Sequence, residues 1–147
     1  MTSRHRAREI ALQILYRYDL AQRIPSGHGQ PRWVNELIDH YNHFQVPAEI
    51  RPFVGELVAG TLTSLSDLDA HLEKHTANWK VSRLSSVDRC ILRMAVYEML
   101  HAPLMPRAVI IDEAIELAKS FGSDDSSGFV NGILDRVLIP ETEKTGT

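Results

Sequence analysis

Ile111-Asp112-Glu113-Ala114-Ile115-Glu116-Leu117-Ala118-Lys119-Ser120-Phe121-Gly122-Ser123-Asp124-Asp125-Ser126, resuming at Phe129-Val130-Asn131-Gly132-Ile133-Leu134-Asp135, decides how this chain is read. Apolar residues three and four apart predict a helix from about 107 to 121. Gly122 stands where a left-handed helix C-cap is wanted. Ser123 to Asp125 then offer hydroxyl and carboxylate acceptors to the N–H groups that open a second helix. That helix buries Val130, Ile133, Leu134 and Val137, and Pro140 ends it. Glycine and asparagine are poor helix formers, so their presence inside the second helix asks for close packing or contact.

The same periodicity extends outward. Ser85-x-x-Asp88 is a capping-box pattern, and the helix it opens runs to about 100 with Val87, Ile91, Met94, Ala95 and Met99 on one face. Pro103 and Pro106 interrupt the chain after it. Asn78 to Leu84 reads as a connector anchored by Trp79 and Leu84. Pro47 and Pro52 fit a helix start. One long helix is expected from there to about 75, carrying Phe53, Leu57, Val58, Leu62, Leu68 and Leu72. Gly55 and Gly60 would let a neighbour approach it closely. Residues 32–44 (Trp33, Leu37, Ile38, Tyr41) predict a short helix after a loop at 24–31.

Residues 4–21 predict the first helix, with Ala7, Ile10, Ala11, Ile14, Leu15, Tyr18 and Ala21 as its apolar stripe. Leu12, Tyr16 and Leu20 form a second row, suited to the core, to a partner or to a second copy of the chain. No alternating strand pattern is present. The expectation is an all-α fold: a single compact domain over 1–140, about seven helices in two packed subgroups, then a disordered polar tail at 141–147.

The chain has 147 residues, of which 44% are hydrophobic, enough for a core. A net charge of −3 excludes a globally basic nucleic-acid binder and leaves only a local patch. The single cysteine, Cys90, excludes an internal disulfide and a CxxC metal pair. With no apolar leader and no run of membrane-spanning length, a cytoplasmic protein is expected.

Enzyme readings are weak. His71-x-x-x-His75 has zinc spacing but lacks the metalloprotease glutamate position and a third ligand, and His40-x-x-His43 is equally incomplete. No phosphate-binding loop and no Gly-x-Ser-x-Gly is present. Cys90 reads as a packing residue. No catalytic residue, metal or cofactor is expected.

Binding readings are stronger. Arg4-His5-Arg6-Ala7-Arg8 is a compact basic run able to neutralise phosphates. It sits at a helix N-terminus, where the macrodipole disfavours cations. At about 100° per residue, Asp125, Phe129, Gly132 and Arg136 share one flank of the last helix. There Phe129 either stacks a base while Arg136 meets a phosphate, or closes the edge of the core. Asp125 either caps the helix or accepts a proton from a base or ribose.

These residues resemble the NusB family of bacterial transcription antitermination factors. The resemblance runs through Arg4 to Glu9, Ala11 to Tyr16, Val87-Asp88-Arg89, Ile91-Leu92-Arg93, Val96-Tyr97-Glu98 and Asp112 to Asp135. It implies a seven-helix, non-enzymatic protein that binds single-stranded boxA RNA of ribosomal RNA operons. It further implies pairing with NusE, a ribosomal small-subunit protein, in a complex with NusA, NusG and RNA polymerase. Carried over, Arg4, His5, Arg6, Arg8, Phe121, Asp125 and Phe129 would face RNA, and Tyr16 and Asp88 would face NusE. His5 and Gly128 depart from the family pattern, standing where arginine and lysine are common. An imidazole is largely uncharged near neutral pH, so weaker and less salt-sensitive RNA binding is expected. A helical protein-binding adaptor in ribosome assembly is the competing function. An RNA methyltransferase with such a domain would need a downstream cofactor-binding α/β domain, which these residues do not contain.

Overall fold

The computed structural model describes residues 3–21, 37, 40–42, 44–75, 80–102 and 105–137. The expected loop at 24–31, Trp33, Ile38, His43, Trp79, Pro103, Pro140 and the tail at 141–147 lie outside the described residues. Within them every regular element is helical, as the periodicity predicts. The α-helices are α1 Ser3–Ala21, α2 Arg51–Thr63, α3 Leu65–Glu73, α4 Ser86–His101, α5 Arg107–Phe121 and α6 Ser126–Arg136; short 3-10 turns form at Ala48–Ile50 and Val81–Arg83. Leu37 and residues 40–42 are helical too, inside the segment expected at 32–44. The chain divides into two compact units, Met1–Thr63 and Ser64–Thr147.

In the first unit α1 packs on α2, and the turn at Ala48–Ile50 packs on both. The apolar stripe of α1 supplies Ala7, Ile10, Ala11, Ile14 and Leu15, all buried. They meet Val54, Leu57 and Val58, whose accessible surface is zero. Each such side chain stabilises the unit by about 1.5–3 kcal/mol relative to exposure. Arg51 ties the entry to α2: its Nε donates to the Val46 carbonyl at 3.0 Å, and its guanidinium lies over the Tyr41 ring at 4.9 Å.

The single long helix expected to about 75 is two helices. Thr63 turns its hydroxyl back onto the Ala59 carbonyl at 2.8 Å, and Ser64 leaves helical geometry at φ −117° and ψ 17°. Hydroxyl side chains that bond back to the preceding turn compete with helix continuation. The Ser64 carbonyl then accepts from Leu68 N at 2.9 Å and starts α3. A Cβ placed on Gly55 meets no atom within 4 Å, so close helix approach does not explain that glycine.

In the second unit α4 is central, packed by α3, α5 and α6. It is therefore buried nearly all round, including Leu92, Val96 and Leu100, and not on one face; Val87 is only half-buried. Its start uses the expected cap, with Ser85 Oγ accepting from Asp88 N at 3.2 Å. Arg89, 4% exposed, clamps the connector by donating to the carbonyls of Leu84 at 2.7 Å and Val81 at 3.2 Å. Arg93 forms a two-point pair with Asp69 of α3, both contacts at 2.8 Å. Arg107 opens α5 and closes α6 by donating to the carbonyls of Leu134 at 2.7 Å, Asp135 at 3.1 Å and Val137. Leu134 and Asp135 are among the last carbonyls of α6, where Val137 N also donates to Leu134 O at 3.3 Å, and a cation suits that end of the dipole. Val130, Ile133, Leu134 and Val137 are buried as expected, as is Cys90.

Candidate nucleic-acid interface

The basic run opens α1, but its members do not share one environment. Arg4 and Arg6 are exposed, His5 is half-buried and Arg8 is 2% exposed. The turn of α1 that carries the run also carries Glu9, whose carboxylate lies 3.6 Å from Arg6 and 3.9 Å from His5 Nε2. Glu9 reduces the positive potential of the run, and its i+3 and i+4 spacing from Arg6 and His5 makes that legible in sequence. Arg8 is set apart from Arg4 and Arg6 by its burial. Its guanidinium lies 5.5 Å from the centroid of the Phe53 ring, and the buried face of α1 takes it in beside Ala7. Arg4 lies over the same ring at 4.6 Å. Phe53 was expected in the core register of α2 and is instead half-buried beneath two cations. No periodicity in the sequence identifies that arrangement, because it depends on how α1 and α2 pack.

In the second unit two phenylalanines, Phe121 and Phe129, stand at the α5–α6 junction. Phe121 ends α5 and is 37% exposed; Asp125 precedes α6 and is exposed; Phe129 lies one turn on and is half-buried. Arg136, exposed at the end of α6, stands two turns beyond Phe129 on the same flank, about 10 Å along the axis. Asp125 does not cap α6 through its side chain. Its carbonyl accepts from Phe129 N at 3.1 Å, and Ser126 is the polar group that organises the turn, its Oγ accepting from Ser123 N at 3.0 Å. Asp125 is thereby left with its carboxylate toward solvent.

Gly122 is also corrected. Its backbone is extended, at φ −94° and ψ −172°, so no left-handed cap forms. A Cβ there would stand 2.5 Å from Ser126 Cβ and Oγ and 2.8 Å from the Ala118 carbonyl. Close approach at the junction, not torsional freedom, requires this glycine. Gly128 and Gly132 meet nothing within 4 Å, so packing does not account for them.

The second apolar row of α1 is split between the core and the surface. Leu12 is 2% exposed and belongs to the core, whereas Tyr16 and Leu20 are exposed at 36% and 37%. Heptad-like spacing places all three on one side, but only the later turns of α1 leave that side open. Beside Tyr16, an open depression of about 480 Å³ is lined by Gln13, Tyr16, Arg17, His40 and Phe44. His40 is buried and stacked on Phe44 at 4.6 Å, with Nδ1 lacking a hydrogen-bond partner. Burial first, then Arg17 and Arg6, hold its imidazole below the ordinary value of 6.5. In the second unit, Asp88 is half-buried and its Oδ1 is a buried acceptor without a hydrogen-bond partner.

Among the described residues no group of three or more His, Cys, Asp or Glu could hold a metal ion. His71 is buried with Nε2 3.9 Å from Asp67, and His75 is half-buried. No helix in the described residues is long and apolar enough to cross a membrane.

The sequence model described as the NusB family matches residues 5–138, from the basic run to the end of α6. The chain belongs to the NusB family. A transcription antitermination protein NusB from Geobacter sp. (strain M21) is 38% identical over 146 residues, covering 98% of this chain and 99% of the relative. One from Desulfitobacterium hafniense (strain DSM 10664 / DCB-2) is 41% identical over 143 residues, covering 97% and 92%. The solved structure of T. maritima NusB superposes with a TM-score of 0.83 at 31% identity, covering 99% of each chain. The structure of antitermination factors NusB and NusE in complex with double-stranded RNA shares the NusB fold, with a TM-score of 0.79 at 22% identity over 93% and 96%.

Proposed function

We propose that this NusB family member is a non-enzymatic transcription antitermination factor. In this reading it binds single-stranded boxA-type RNA of ribosomal RNA operons together with NusE. NusA, NusG and RNA polymerase join through that complex. The observation that carries the reading is the family match across residues 5–138 together with the exposed Arg4 and Arg6 at the head of α1. Two exposed guanidiniums on one helical turn favour polyanion binding that weakens with salt. Phe121 adds an accessible ring and Arg136 a further cation on the second unit, the pair of chemistries that unpaired nucleotides call for. The NusB solved in complex with NusE and double-stranded RNA has the same fold, which supports RNA and NusE as partners in general.

Tyr16 and Leu20, with the depression beside them, are the surface assigned to NusE or to a second copy of the chain; Asp88 is a further acceptor assigned to NusE. Light scattering of the free chain and of its mixture with NusE tests this part. A heterodimer mass supports it, and an unchanged mass contradicts it.

The decisive experiment measures fluorescence anisotropy of a labelled boxA-type strand, a scrambled strand and a duplex, each with and without NusE. Preference for the boxA-type strand, strengthened by NusE, is the expected result. A second reading, a protein-binding adaptor with little RNA affinity, is favoured by the Glu9 pairing and the burial of Arg8, which leave a smaller cationic surface than the sequence implies. NusE binding with no RNA binding at any salt would select it.

A further inference from the structure

We infer that Phe53 is a positioning residue of the RNA-binding run: its ring holds the Arg4 guanidinium in a fixed place by a cation–π contact. The inference rests on the RNA-binding reading above and names how that site is ordered. Arg4 and Arg8 are one turn apart on α1, and their guanidinium carbons lie 4.6 Å and 5.5 Å from the centroid of the Phe53 ring. Both distances are within cation–π range. Two like charges one turn apart repel, and Arg4, in the first turn of α1, stands where the macrodipole disfavours a cation. The negative face of the ring offsets both costs.

The two arginines divide the work. Arg8 is 2% exposed and is a structural member of the first unit. Arg4 is exposed, so its side chain remains accessible from solvent. Stacking uses the plane of a guanidinium and leaves the N–H donors at its edge free for a bidentate phosphate contact. Phe53 therefore orders Arg4 without consuming the groups that would bind RNA. Among the described residues no such platform is seen for Arg6, whose neighbour is Glu9 at 3.6 Å.

A purely structural Phe53 would only fill space between α1 and α2, and a leucine would serve nearly as well. The test uses Phe53→Leu, Phe53→Tyr, Arg4→Ala and the Arg4→Ala/Phe53→Leu double variant in the full chain, with a labelled boxA-type oligonucleotide. Phe53→Leu is expected to weaken binding about threefold to tenfold. Phe53→Tyr should restore it to within about twofold, and the double variant should bind no worse than Arg4→Ala. Wild-type affinity in Phe53→Leu, failure of Phe53→Tyr to restore it, or additive losses would overturn the inference. Should Phe53→Leu not fold, Arg4→Lys decides: it keeps the charge without the planar group and should bind more weakly, whereas equal binding contradicts the role. A second readout needs no RNA. Amide hydrogen exchange of residues 7–10, whose N–H groups have acceptors in the first turn of α1, should quicken in Phe53→Leu and Arg4→Ala, but not in Phe53→Tyr. Absence of RNA binding by the wild type would remove the functional reading, while this exchange pattern would still decide whether Phe53 orders the run.

Discussion

Arg6 and Arg8 are two residues apart on α1 and have opposite surroundings. Arg6 is exposed and 3.6 Å from Glu9, whereas Arg8 is 2% exposed with its guanidinium 5.5 Å from the Phe53 ring. Their alanine variants should therefore diverge. Arg8→Ala is expected to lower unfolding free energy by about 1–3 kcal/mol, through lost packing and lost contacts to a buried cation. Arg6→Ala should stay within about 0.5 kcal/mol of wild type. Urea denaturation of the two variants checks this, and equal losses would mean the run is evenly exposed after all.

Two glycines of the C-terminal helices make a paired prediction. Gly122→Ala forces a methyl against Ser126 and against the Ala118 carbonyl, and the backbone partner cannot rotate away. A loss of about 1–3 kcal/mol is expected. Gly132→Ala enters open space inside α6 and should raise stability by about 0.5–1 kcal/mol through helix propensity. Calorimetry of both variants reads the difference; a stabilised Gly122→Ala would show that the α5–α6 junction yields.

Most of the architecture was legible because helical periodicity reports which side of a helix is covered. The stripe of α1, the buried set of α6 and the Ser85 cap were all readable that way. What escaped depends on neighbours. One face was assigned to α4 because the pattern of a single segment cannot tell that three elements surround it. The Thr63–Ser64 break was hidden by continuous apolar spacing on both sides of it. Gly122 was assigned the commonest use of a glycine after a helix, while the close approach of Ser126 is a tertiary fact. The basic run showed the same limit: sequence placed three arginines together, and packing on α2 took one of them out of solvent.

Among the described residues of the second unit Phe121 is the exposed aromatic, at 37%, and base stacking can reach it without unfolding anything. Phe121→Ala should cost about 1–3 kcal/mol of RNA binding and leave thermal stability nearly unchanged. Isothermal titration with melting curves on the same samples separates the two effects. A large drop in Tm with little change in affinity would assign the ring to packing.

His40 gives the first unit a pH dependence of definite sign. Burial, Arg17 and Arg6 disfavour its protonated form in the folded state, so its folded value lies below 6.5. Between the two values the unfolded chain binds more protons, and stability rises with pH. The contribution is complete above the unfolded value and is lost as pH falls below about 6.5. Denaturation midpoints at pH 7.5 and 5.5 should fall further for the wild type than for His40→Gln. Equal falls would remove His40 from the pH response.

RNA phosphate binding falls to the exposed arginines at the head of α1 in the proposed function. The slope of log affinity against log salt for a boxA-type strand tests it most directly, compared between wild type and an Arg4→Ala/Arg6→Ala variant with NusE present. A negative wild-type slope that shrinks by about one to two units in the variant is expected. Identical slopes for the two proteins would contradict it.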